Sequence, residues 1–148
     1  MTSRYRIELM TWSEARPHAR AVRDKVFIQE QGVPRELEWD AWDEPSDHAV
    51  AFDPGSTAVG TARLLPDGHI GRMAVLPSWR GMGVGSALLQ AMIDLAREKR
   101  MPEVVLNAQT QAAGFYRRFG FAARGLEFLE AGIPHVEMGL RIVLASEP

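Results

Sequence analysis

The sequence predicts an α/β fold with a mostly antiparallel front half and a parallel crossover in its middle. Three observations carry this expectation. Three short apolar runs are separated only by turn residues, a glycine-rich loop leads from a strand into a helical stripe, and a further strand follows that helix. Short connections imply antiparallel neighbours, because parallel strands need a long crossover.

Residues 5–9 alternate Tyr, Arg, Ile, Glu, Leu, the period of a half-buried strand. Over 13–31, Ala15, Ala19, Val22 and Val26 recur every three or four positions. That spacing predicts an amphipathic helix with Ser13 as N-cap and Gly32 as its stop. Residues 33–47 read as an acidic loop holding Trp39 and Trp42. Strands are expected at 48–52, 58–65 and 69–75, separated by Asp53-Pro54-Gly55 and Pro66-Asp67-Gly68, both turn signals. Val84, Leu88, Met92, Leu95 and Ala96 form a helical stripe ending at Lys99 and Arg100, cations that suit the negative end of a helix dipole. A buried strand at 103–108, a short helix at 111–119 stopped by Gly120, and closing strands at 121–123, 127–129 and 135–142 follow. Gly132 and Pro134 are expected in a turn. The 148 residues suffice for one domain, 1–148, with its own core.

A net charge of −2 gives no basic face for nucleic acid. No apolar run approaches the roughly 20 residues of a membrane helix, and residues 1–12 lack a signal-peptide pattern. A soluble cytoplasmic protein is therefore expected, with neither nucleic acid nor membrane as partner. With no cysteine, disulfides, thiolate metal sites and a nucleophilic thiol are excluded. The acid-rich segment lacks the central glycine of a calcium loop, so no metal is expected.

The chemistry concentrates at Arg80-Gly81-Met82-Gly83-Val84-Gly85. Glycines there permit positive φ and close backbone approach, and the first N–H groups of the following helix have no partner within it. Such a helix start is an anion site, and Arg80 adds a forked donor set for phosphate oxygens. A P-loop is excluded because no lysine is nearby. A dinucleotide fingerprint is excluded because Ser86 or Leu88 stands where its last glycine must be. The expected ligand is a phosphate or pyrophosphate.

That loop resembles the Gln/Arg-x-x-Gly-x-Gly/Ala signature of the GNAT N-acetyltransferase superfamily. Met73-Ala74-Val75-Leu76-Pro77 precedes it and Phe115-Tyr116-Arg117-Arg118-Phe119-Gly120-Phe121 follows, both as in that family. The run from Val26 to Pro34 with Glu38, Asp40 and Asp43, and Gly132-Ile133-Pro134-His135, are similar to the ElaA-like branch. The resemblance implies a GNAT fold: a mixed central sheet of about 6–7 strands, about four flanking helices, and splayed central parallel strands. It also implies acetyl-CoA as co-substrate and transfer of acetyl to a primary amine, on a small molecule or a peptide.

By the same resemblance, Met73, Ala74 and Val75 would bind pantetheine through backbone, with the Met73 N–H facing the thioester carbonyl. Arg80, Gly81, Met82, Gly83, Val84, Gly85 and Ser86 would hold the phosphates, and Asn107 would contact the cofactor from the next strand. Tyr116 matches the tyrosine that protonates the leaving thiolate; the alternative is a tyrosine packed on the cofactor without proton transfer. The family often has Asn seven residues before this Tyr, where this chain has Gln109. An amine of pKa about 10.4 needs a base. Candidates are Glu30, His135 and His48, each with a purely structural alternative.

The segment from Glu30 to Asp47 carries seven acids and one base. It reads either as a cation-attracting acceptor pocket or as a solvated loop with packed tryptophans. Without Cys, direct attack in a ternary complex is expected. A non-catalytic coenzyme A sensor and a longer-chain acyltransferase are the alternatives. Residues 136–142 are the candidate homodimer interface.

Overall fold

A computed structural model describes residues 4–142. Seven strands form two sheets. The first contains β1 (Arg6–Met10), β2 (Asp47–Phe52), β3 (Ala58–Leu64) and β4 (Ile70–Val75) in that spatial order, all antiparallel. The second has the order β5 (Glu103–Gln109), β7 (Ile133–Arg141), β6 (Ala122–Glu130). One parallel bridge, His69 to Val105, joins them; the Val105 N–H donates to the Gly68 carbonyl at 3.1 Å. Beyond that bridge β4 and β5 part. Gly68 has φ +97, and a Cβ there would stand 2.8 Å from the Glu103 carbonyl oxygen, so the junction requires glycine.

Helices cover both faces of the first sheet, which is why β2 and β3 are buried almost throughout. Ala49 and Ala51 face α3 (Val84–Glu98), where they meet Leu88, Leu89 and Met92. The alternate residues Val50 and Phe52 face α1 (Trp12–Arg23) and its Ala15, Ala19 and Val22. The period-2 alternation thus serves two cores at once.

The helix expected at 13–31 begins at Trp12, with its cap two residues before Ser13. Its N-cap is Thr11, whose backbone N–H donates to Glu14 Oε1 at 3.2 Å; this reciprocal bond outcompetes a cap at Ser13. Past Arg23 the helix widens into a π-helical stretch, Asp24–Glu30, with Gln31 N–H donating to Val26 O at 3.0 Å. It stops at Gly32, φ +74, as expected.

The expected loop at 33–47 instead contains the short helix α2 (Arg35–Glu38). The strands expected at 121–123 and 127–129 are one strand, β6. Its register moves from Arg124↔Glu137 to Phe128↔His135, so residues on β6 bulge out around Gly125, φ +75. The turn lies at Ala131–Gly132 (φ +52 and +77), and Pro134 sits within β7 opposite Leu129. Proline is tolerated there because the β5 ladder ends one residue later, at Gln109↔His135. β7 is paired on both sides, so residues 136–141 are not a free edge; the open edge of that sheet is β6.

Candidate active site

The parting of β4 and β5 opens a cleft of about 900 Å³. β4, β5, the π-helical stretch, the start of α3, α4 (Ala113–Arg117) and the β6–β7 turn contribute its walls. A bulge sets the shape of the β4 wall. Between Thr61↔Ala74 and Arg63↔Gly71 the strand β4 has one extra residue, and Met73 has no Cα partner on β3. Arg72, in the bulge, takes φ +47, which is unusual for a non-glycine residue. Its guanidinium donates to the Glu38 and Leu37 carbonyls (3.3 Å each) and to Asp40 Oδ2 (3.0 Å), contacts that hold the strained backbone in place.

The glycine loop enters α3 in the expected conformation. Gly81 and Gly83 have φ +78 and +86, and Gly83 is the N-cap. The first-turn amides of Val84, Gly85 and Ser86 precede any intrahelical acceptor, leaving an anion site at the dipole's positive end. Tyr5, overlooked in the sequence, braces the loop by donating its hydroxyl to the Gly83 carbonyl at 3.2 Å. Met82 is exposed. Gly85 faces Val75 and Phe115, each 3.9 Å from where a Cβ would lie.

Arg80 and Glu30, expected in separate roles, are each other's partner. The Arg80 Nη atoms donate to Glu30 Oε2 at 2.8 Å and Oε1 at 2.6 Å, and its Nε donates to the Val75 carbonyl at 3.0 Å. Those hydrogen bonds push the Glu30 carboxyl below its usual range. A carboxylate so held is a poor proton acceptor, and the Arg80 guanidinium links β4 to the π-helical stretch.

Met73 and Val75 line the cleft half-buried, whereas the Ala74 side chain packs beneath α1 and leaves only its backbone to the cleft. Asn107 donates to Glu130 Oε1 at 3.1 Å across the opening. Gln109, standing in for the family's asparagine, donates to Gln31 Oε1 at 3.1 Å. Tyr116 stands edge-on to Phe115 (5.1 Å) and Phe121 (6.0 Å), and burial raises its phenol to about 12.

His135 is buried at the cleft wall, its Nδ1–H donating to the Ile133 carbonyl at 2.6 Å. His48 sits in the interior, bonded through Nε2 to the Asp43 carbonyl (2.9 Å) and stacked near Trp12; burial lowers its pKa. It is a structural histidine.

The acid-rich segment is solvated only in part: Glu36, Asp40 and Glu44 are exposed. Glu38 and Asp43 are buried, and Arg23, fully buried, bonds Glu38 Oε2 with its Nε and Asp43 Oδ1 with its Nη1 at 2.8 Å. Arg63 Nη1 reaches Asp40 at 2.7 Å and Asp43 at 3.1 Å. Three arginines therefore neutralise three acids. A signal for this was present: Arg23 lies four positions after Ala19 on the buried helix stripe.

Among the described residues no helix is long and apolar enough to cross a membrane, and no group of three His, Cys, Asp or Glu is placed to hold a metal.

The profile of the acetyltransferase (GNAT) domain matches residues 13–142. The uncharacterized N-acetyltransferase YjcF of Bacillus subtilis (strain 168) is 41% identical over 121 residues, covering 79% of this chain and 86% of that protein. The crystal structure of Escherichia coli ElaA superposes with a TM-score of 0.81 at 26% identity, covering 91% of this chain and 98% of that one. An acyl-CoA N-acyltransferase from Pseudomonas aeruginosa superposes with a TM-score of 0.79 at 25% identity, over 91% and 98% of the two chains. Sequence, fold and cleft agree: the chain belongs to the GNAT acetyltransferase family.

Proposed function

We propose that the chain transfers the acetyl group of acetyl-CoA to a primary amine, on a small molecule or a peptide, by direct attack in a ternary complex. The observation that carries this reading is the gap between β4 and β5, which runs to the glycine-capped start of α3. Its walls supply what a phosphorylated, amide-bearing thioester requires.

The α3 amides and the Gly81–Gly83 turn hold the pyrophosphate. The Val75 backbone pairs with the pantetheine amides, its carbonyl exchanging the Arg80 Nε for an incoming N–H. The Met73 N–H, in the bulge, stabilises the oxyanion of the tetrahedral intermediate. Tyr116 donates to the departing thiolate, and His135 accepts the amine's proton. Glu30 contributes by fixing Arg80 rather than by proton transfer. With no cysteine in the chain, an acyl-enzyme step is not invoked.

The test is thiol release from acetyl-CoA over polyamines, aminoglycosides, amino acids and peptides. Turnover on at least one amine, with intersecting double-reciprocal plots, is expected. Ping-pong kinetics, or tight coenzyme A binding with no turnover on any amine, would contradict the reading.

A further inference from the structure

The β6–β7 hairpin brings together two groups that the transfer reading has so far used only in part. Ala131 and Gly132 both have positive φ, the geometry of a type I′ turn, and this pairs Glu130 directly with Ile133. The Ile133 carbonyl takes the Nδ1–H of His135 at 2.6 Å. A carbonyl can only accept, so Nδ1 carries a proton, and in the neutral form of the ring the lone pair is on Nε2. Glu130 Oε2 lies 3.9 Å from that Nε2, while its Oε1 is held by Asn107 at 3.1 Å. One turn thus sets both the tautomer of the histidine and the position of the carboxylate.

Two acceptors 3.9 Å apart do not bond each other, but one nitrogen can sit at about 2.8 Å from both. Both line the cleft, and they converge on its β6–β7 side. Water could fill such a place. An alkylammonium fits it better, because it brings several N–H donors and a positive charge to a carboxylate and an imidazole lone pair. The ring stacks on Phe128, centroids 6.0 Å apart, which holds its plane fixed.

We propose that Glu130 and His135 form a cradle for the acceptor's ammonium group, with Glu130 holding the cation and His135 Nε2 removing its proton. This rests on reading the chain as an acetyl-CoA-dependent N-acetyltransferase. One ammonium proton passes to His135 Nε2 and then to solvent. The freed nitrogen lone pair forms the N–C bond to the thioester carbon, and the C–S bond breaks. The second proton lost by that nitrogen is matched by the one the thiolate gains. The acceptor class is then a primary alkylammonium, entering as a cation.

The probe is ethylammonium chloride, with tetramethylammonium chloride at equal ionic strength as a control that has charge but no N–H. The readout is the imidazole 15N shift of His135 in labelled protein, assigned with H135Q. Coenzyme A affinity is measured by calorimetry in the same samples. Ethylammonium is expected to move the Nε2 resonance saturably and tetramethylammonium is not. E130Q should weaken the response at least tenfold and E130D should restore part of it. In acetyl-transfer assays with ethylamine, E130Q should raise KM at least tenfold with kcat changed less than threefold.

No response in the wild-type protein, an equal response to tetramethylammonium, or E130Q behaving as wild type would overturn the cradle. The wild-type response alone suffices as a test if E130Q does not fold. Loss of the cradle with coenzyme A binding intact leaves the transfer reading standing. Absent coenzyme A binding beside a normal ethylammonium response defeats the transfer reading instead.

Discussion

Arg23→Ala is expected to destabilise the folded chain by about 3–5 kcal/mol, the cost of removing one member of a buried ion cluster. Arg23 is fully buried, and its guanidinium serves Glu38, the Glu38 carbonyl (3.0 Å) and both Asp43 oxygens (2.8 and 3.2 Å). Truncation leaves two buried carboxylates with only Arg63 and Arg72 nearby. Arg23→Lys is not expected to rescue, because a single ammonium cannot reproduce the fork.

The deficit has a defined pH dependence. Burial already raises the Glu38 carboxyl above 4.5, and the charges of Arg23 and Arg72 oppose that rise. Without Arg23 it rises further. A carboxyl raised on folding takes up a proton more readily in the folded state, so its penalty is present at high pH. That penalty is relieved as pH falls through the raised pKa. The mutant's loss should therefore be larger at pH 8 than at pH 5 in urea titrations. A loss below about 1 kcal/mol at pH 8 would contradict the account. The effect should reach the cleft as well, because Glu38 and Asp40 hold Arg72 in the β4 bulge.

In the proposed transfer, Tyr116→Phe is expected to lower kcat by about 10²-fold or more, the worth of one donor aimed at charge that develops in the transition state. Coenzyme A affinity should stay within about twofold. The ring's edge contacts with Phe115 and Phe121 do not involve the hydroxyl, so packing should survive. The raised phenol, at about 12, sharpens the role. Against a thiol of pKa about 8.5, full transfer is uphill by several units. In the proposed transfer the phenol therefore acts chiefly by hydrogen bonding to sulfur as charge develops, and solvent completes protonation. It also stays protonated throughout neutral and mildly basic pH, so the wild-type rate should show no fall from Tyr116 ionisation below pH 10. A kcat within threefold of wild type would make Tyr116 a packing residue only.

Local signals in the chain proved good guides to local structure. The turn residues around 53–55 and 66–68 mark the ends of β2, β3 and β4, and the α3 stripe lies where its spacing placed it. Gly32 stops its helix with positive φ, whereas α4 ends at Arg117 and Gly120, φ +99, closes the turn that follows it. Even the splay of β4 from β5, implied by family resemblance, is present. Features set by partners distant in sequence were not legible. That β7 lies between β5 and β6 follows from pairing across the sheet. The break expected between residues 123 and 127 is absent because β6 pairs with β7 on both sides of the bulge at Gly125.

The site divides in the same way. The glycine loop is a local motif and could be read directly. The Glu30–Arg80 pair joins residues 50 apart in sequence, and no spacing rule relates them. The acids at 38, 40 and 43 read equally well as a cation-attracting pocket or as a solvated loop, because no residue near them in sequence marks their partners. Their partners Arg23, Arg63 and Arg72 come from α1, β3 and β4. Glu130 comes beside His135 only through the hairpin, which no local sequence signal reveals.

The central claim is that coenzyme A lies between β4 and β5 with its pyrophosphate at the start of α3. Titration of 15N-labelled protein with coenzyme A, followed by amide shifts, tests it most directly. Saturable changes are expected to concentrate at Met73, Ala74 and Val75 and at Gly81 to Ser86. Absence of saturable binding, or shifts that leave both segments unmoved, would contradict it.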